Sequence, residues 1–157
     1  ILNKSNIIIK SVEQEHLNSC YQLILELAEY ERAPEAVILS LEQFKLDFKD
    51  KKFGAWVALL DDVVVGMSLY YHIYSTWKGD SLHLEDLIVT PKHRGKGIGK
   101  MLLDKTVETA KNMEAGRMQW QVLDWNEPAI NFYKNYPAEF DGEWINVKIS
   151  GEDLQKL

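Results

Sequence analysis

Between Arg94 and Lys100 the chain reads Arg-Gly-Lys-Gly-Ile-Gly-Lys, with Gly95, Gly97 and Gly99 interleaved with cations. Glycines let backbone N–H groups come close to a ligand, and a helix that begins there presents first-turn N–H groups with no intrahelical partner. The chemistry this suits is anion binding, above all of phosphate. Two carboxylates, Glu85 and Asp86, stand just upstream among apolar residues. Consecutive strand residues point to opposite faces, so the two are not expected to work as a dyad.

Two familiar glycine motifs are excluded. A Walker loop ending at Gly99-Lys100 needs glycine where Arg94 stands and Ser or Thr where Met101 stands. A dinucleotide fingerprint starting at Gly95 needs glycine at Lys100. The pattern that fits is Arg-x-x-Gly-x-Gly, Arg94 to Gly99. A flexible basic turn is the bland alternative.

The elements around the turn must hold it. His83–Val89 reads as a strand, ended by Thr90-Pro91 because proline cannot donate to a ladder and restricts its predecessor. After the turn Ile98, Leu102, Thr106, Ala110 and Met113 fall near one face of a helix. Upstream, Ile7–Ile9 is a short strand, Glu15–Tyr30 an amphipathic helix, and Ser40-Leu41-Glu42-Gln43 a capping-box start to a helix through about Phe48. Ala55–Leu60 and Val63–Ile73 are strands joined by a tight Asp61-Asp62 turn, with Gly66 interrupting the second. Downstream, Met118–Leu123 is a strand, Asn126-Glu127-Pro128 starts a short helix, and Trp144–Ile149 reads as a last strand. The expected order is β-α-α-β-β-β-α-β-α-β, an α/β fold with a mixed, mostly antiparallel central sheet flanked by helices.

At 157 residues, one domain spanning 1–157 is the simplest organisation. The net charge of −6 argues against a nucleic-acid binder, which carries a basic footprint, and suits a cationic substrate. No run is long and apolar enough for a membrane span, and no signal-peptide h-region precedes the first strand, so the cytoplasm is the expected compartment. Asn3-Lys4-Ser5 matches a glycosylation sequon, taken as coincidence in that compartment. Cys20, the single cysteine, excludes an intrachain disulfide and reads as a buried small residue. The four histidines are too dispersed for a metal site, and His83 and His93, which flank the motif, receive no role.

HLEDLIVTPKHRGKGIG, followed about thirty residues later by DWNEPAINFYK, resembles the GCN5-related N-acetyltransferases, in particular their diamine (spermidine/spermine) and thialysine branch. ELAEYE at Glu26–Glu31 and VILS at Val37–Ser40 resemble the same branch. The likeness runs from the first helix to Lys134 and fades beyond it, where Pro137 replaces a helix-ending glycine.

The resemblance implies the GNAT fold, acetyl-CoA as cosubstrate, no metal and a homodimer. Leu87, Ile88 and Val89 would meet acetyl-CoA through their backbone. Arg94, Gly95, Lys96, Gly97, Ile98, Gly99 and Lys100 would hold the pyrophosphate, and Asn126 and Ala129 would line the cofactor's path. Tyr133, the tyrosine of NFYK, would be the general acid for the departing thiolate, and Glu85 would accept the proton of the incoming ammonium. Tyr30 and Glu31 match positions lining an amine pocket, as do Gln119, Trp120 and Gln121. Trp77 could pack over an alkyl amine or be a loop anchor.

The reading is transfer of an acetyl group to a primary amine of a small polyamine or diamine-like molecule, by direct attack. Acetylation of thialysine, amino-acid or peptidyl amines is the alternative, with Arg32 as a candidate partner for a carboxylate. A non-catalytic acyl-CoA-binding module is the other.

Overall fold

The computed structural model describes residues 6–157, so the Asn3-Lys4-Ser5 sequon lies outside the described residues. The chain divides into two compact units, one running to Gln121 and one from Val122 to Leu157.

The first unit is a five-stranded sheet ordered β1 (Ile7–Ser11), β2 (Gly54–Leu60), β3 (Val63–Ser75), β4 (Gly79–Val89), β5 (Met118–Gln119). The first four strands are antiparallel and β5 runs parallel to β4. Two-residue hairpins of the favoured kind need positive φ at both turn positions. Asp61 and Asp62 have φ of 49° and 63°, which makes this turn match the twist of β2 and β3. β3 runs on through Gly66, but its register against β2 breaks there: Ala58 pairs with Gly66 and Leu59 with Val64, so Val65 is an extra residue.

α1 (Leu17–Tyr30) and α2 (Leu41–Lys49) cover one face of the sheet. Leu17, Cys20 and Leu23 pack there with Phe44 and with Val57, Met67, Leu69 and Ile88 from three strands. α3 (Ile98–Asn112) covers the other, where Ile98 and Leu102 pack with Ala58, Val65 and Val89. Leu102 is fully buried, and its truncation to alanine costs about 2–5 kcal/mol by the usual cavity effect. Ser40 caps α2 by accepting from the Gln43 amide at 3.1 Å. The Gln43 side chain turns to Asp47 instead of closing the box.

Two irregularities shape β4. Opposite it, Leu69 pairs with Asp86 but Tyr70 pairs with Leu84, so Glu85 is one residue too many: a β-bulge. On its other side β4 pairs with β5 only at Leu82 and His83. Beyond His83 no strand among the described residues pairs with that edge.

The second unit holds two short helices, α4 (Glu127–Tyr133) and α5 (Gly151–Leu154). Asn126 caps α4, its side chain accepting from the Ala129 amide, and Pro128 occupies the first turn, where its missing N–H is harmless. Two strand expectations are corrected. The fifth strand spans Met118–Gln119 rather than reaching Leu123, and Trp144–Ile149 forms no strand. A strand needs a neighbour to take its N–H and C=O groups, and no described strand pairs with this segment. Trp144, Ile145 and Val147 stand largely exposed.

Candidate active site

The glycine turn is built as an anion cradle. Pro91–His93 forms a 3-10 turn, Gly95 has φ of 74°, and Gly97, with φ of 83°, is the N-cap of α3. A side chain at either left-handed position would be strained. No side chain caps α3, so its first-turn amides are left for a ligand. A Cβ on Gly95 would meet nothing within 4 Å: the space above the loop is open. Just before it, the Thr90 hydroxyl is buried with no hydrogen-bond partner among the described residues. These features fit a bound pyrophosphate.

The cations of the loop are individually placed. Arg94 Nε donates to the Val89 carbonyl over 2.9 Å, and its guanidinium lies over the Tyr30 ring. Lys96 Nζ donates to the Lys92 carbonyl, and Lys100 pairs with Asp104 on the next helical turn. Ile98 is a core residue. Ile88 also packs in the core beneath α1, while Leu87 packs toward α3 with Val89. The unpaired edge of β4 runs past all three.

Glu31 owes its place to the way α1 ends. The Arg32 amide bonds to the Glu29 carbonyl and the Ala33 amide to that of Ala28, with Arg32 at φ of 64°. This is a Schellman closure carrying arginine where glycine is usual.

The bulge overturns the expectation that Glu85 and Asp86 face apart. Cross-strand partners share a face, and Asp86 lies opposite Leu69, which packs beneath α1. Glu85 accepts from Tyr71 Oη at 2.8 Å and lies 3.3 Å from His83 Nε2. Tyr71 and His83 are a cross-strand pair two residues from Leu69, hence on the same side. Both carboxylates therefore meet on the α1 face. Burial pushes the Asp86 carboxyl up to about 7, with the Glu85 and Glu31 charges adding to it. Glu31 is raised as well, by burial first and then by Glu85. Three carboxyls in mutual range make a site that attracts a cation.

Residue-type reading missed Tyr71, set Asp86 apart from Glu85 and left His83 without a role. A hydrogen bond to Glu85 and burial push the Tyr71 phenol up to about 12, burial being the larger cause. The only available signal was register, since Tyr71 lies opposite His83 once β3 and β4 pair. Gln119 is drawn in by its place beside His83 on β5. Trp120 is half-buried, and Gln121 and Trp77 are exposed. Glu13, Glu15 and His16 also gather within 4.8 Å of one another, but His16 Nδ1 accepts from the Glu13 amide and so closes the turn that starts α1.

In the second unit Tyr133 ends α4 and is buried, its ring 5.3 Å from that of Phe132. Asn126 is buried and Ala129 half-buried.

Comparison with known proteins agrees with this geometry. The profile of the Acetyltransferase (GNAT) family matches residues 15–136. A thialysine N-epsilon-acetyltransferase of Caenorhabditis elegans is 36% identical over 156 residues, covering 97% of each chain. That of Mus musculus is 34% identical, covering 95% of each. Among solved structures, aminoglycoside N-acetyltransferase AAC(6′)-Iy in complex with CoA superposes with a TM-score of 0.76 at 16% identity, over 95% of this chain and 98% of that one; this likeness concerns the fold alone. With the matched profile and near full-length relatives, the chain belongs to the GNAT acetyltransferase family and is an N-acetyltransferase.

Proposed function

We propose that this enzyme transfers the acetyl group of acetyl-CoA to a primary amine of a small polyamine or diamine-like acceptor. The observation that carries the reading is the acidic group of Glu31, Glu85 and Asp86 on the face beside an unpaired β4 edge. Acetyl-CoA supplies the activated acyl group. The amides from Gly95 to Lys100, with Arg94, hold its pyrophosphate, and the backbone of Leu87, Ile88 and Val89 lies along its arm. Asn126 and Ala129 line its path. Tyr30, Glu31, Gln119, Trp120 and Gln121 line the acceptor pocket.

An alkyl ammonium must lose a proton before it can attack, and Glu85 takes it. Tyr133 holds the proton that the departing sulfur requires. Holding the two reactants in register supplies the larger share of the rate. A thialysine-type acceptor is the second reading, favoured by the names of the relatives at 34–36% identity. It keeps the same acidic group for its ammonium and adds a carboxylate, for which Arg32 is the nearest candidate in sequence.

The reading includes one functional domain, since the family profile crosses both compact units. It includes a cytoplasmic location, consistent with a buried free Cys20. It also includes a homodimer, which would cover the exposed apolar run at Trp144, Ile145 and Val147. Light scattering on the eluting protein is expected to give about twice 18.2 kDa.

CoA-thiol release is the test, with spermidine, putrescine, thialysine, lysine and a lysine peptide as acceptors. Turnover on one small amine, at least about tenfold lower in Tyr133→Phe, is the expected result. Acetyl-CoA binding without turnover on any amine would overturn the reading in favour of an acyl-CoA-binding module.

A further inference from the structure

Tyr71 and His83 approach the same oxygen of Glu85. Tyr71 Oη donates to Oε2 over 2.8 Å, and His83 Nε2 lies 3.3 Å from that atom. Among the described residues no hydrogen bond reaches Oε1. The His83 ring packs on Tyr71 with centroids 5.1 Å apart. Its other nitrogen, Nδ1, faces Gln119 Nε2 at 3.4 Å. Gln119 donating to Nδ1 is the pairing that leaves the proton of a neutral ring on Nε2, the nitrogen beside Glu85. The His83 side chain is 14% exposed and that of Glu85 49%: the donor is held and the acceptor is open.

We propose that His83, with its tautomer set by Gln119, is a positioning residue for amine deprotonation: together with Tyr71 it saturates Oε2 and turns Oε1 to the acceptor's ammonium. The inference rests on the reading of Glu85 as proton acceptor. In that step an ammonium N–H bond breaks, its electron pair stays on nitrogen, and an O–H bond forms at Oε1. The protons on Tyr71 and His83 stay where they are.

The charged and titratable groups around Glu85 are Glu31 from α1, Tyr71 from β3, and His83 and Asp86 from β4.

The test uses the amine turned over fastest, with the intact protein. His83→Phe keeps the ring packing without an N–H, and His83→Gln restores a donor. His83→Phe is expected to lower kcat about tenfold, as for loss of a charge-assisted hydrogen bond. It should leave the acetyl-CoA Kd unchanged, while His83→Gln recovers most of the rate. Wild-type kcat in His83→Phe, with Glu85→Gln inactive, would overturn this inference and leave the role of Glu85 intact. A fully active Glu85→Gln would overturn both. Should His83→Phe fail to fold by circular dichroism, Tyr71→Phe carries the same test: a kcat lowered about tenfold at unchanged acetyl-CoA Kd supports the arrangement, and wild-type kcat overturns it.

Discussion

The guanidinium carbon of Arg94 sits 5.0 Å from the centroid of the Tyr30 ring. The first cation of the glycine turn thus rests on the last residue of α1, and its Nε is tied to the end of β4. A guanidinium fixed at both ends is aimed before any ligand arrives, which lowers the ordering cost of binding.

Tyr30→Leu is therefore expected to weaken acetyl-CoA binding. A partly exposed cation–π contact is worth about 0.5–1 kcal/mol, which corresponds to about two- to fivefold in Kd. Isothermal titration with acetyl-CoA checks it. An unchanged Kd would mean that Arg94 needs no support from α1.

Asp86 makes stability depend on pH in a stated direction. Its folded carboxyl keeps a proton up to about 7, against an ordinary value of 3.8. Between those values the folded chain binds the extra proton, so stability is full below the lower value and falls as pH rises toward the higher. Above it both states are ionised and the slope from this group ends. Asp86→Asn is expected to melt higher than wild type at pH 8, with the difference shrinking as pH falls to 4. Glu31, raised in the same sense, leaves a smaller slope in the variant. Melting curves across pH decide it, and a constant difference would remove Asp86 as the cause.

A buried hydroxyl pair joins α3 to the sheet. Thr106 donates to the Leu102 carbonyl at 2.9 Å, so the 2.7 Å contact with Ser68 has Ser68 as donor. Both side chains are fully buried. Thr106→Val strands the Ser68 hydroxyl and is expected to cost about 1–3 kcal/mol. Adding Ser68→Ala should return part of that loss, so the double variant is more stable than the single one by denaturant unfolding. Additive losses would show that the pair is uncoupled.

Much of this was legible in the chain because it is local. The Ser40 cap, the Asp61-Asp62 turn, the spacing of Leu17, Cys20 and Ile24, and the glycine turn all follow from neighbouring residues. The gathering at Glu85 was not legible for the opposite reason. Tyr71 meets His83 by strand register, Gln119 reaches it across a parallel pair, and the bulge exists only relative to β3. Alternation is a reliable rule until one residue too many breaks it. Trp144–Ile149 carries strand-favouring side chains, but whether a segment becomes a strand is decided by the neighbour it finds.

The bulge acts on β4 as a frameshift acts on a message. Before it the odd-numbered residue His83 shares the face of α1 with Glu85; after it the even-numbered Asp86 and Ile88 do. Excising Glu85 would restore uninterrupted alternation and leave Leu82, Leu84, Leu87 and Ile88 on their present sides. The core has no packing use for the extra residue. Its presence moves the parity of one strand at the point where a carboxylate faces outward.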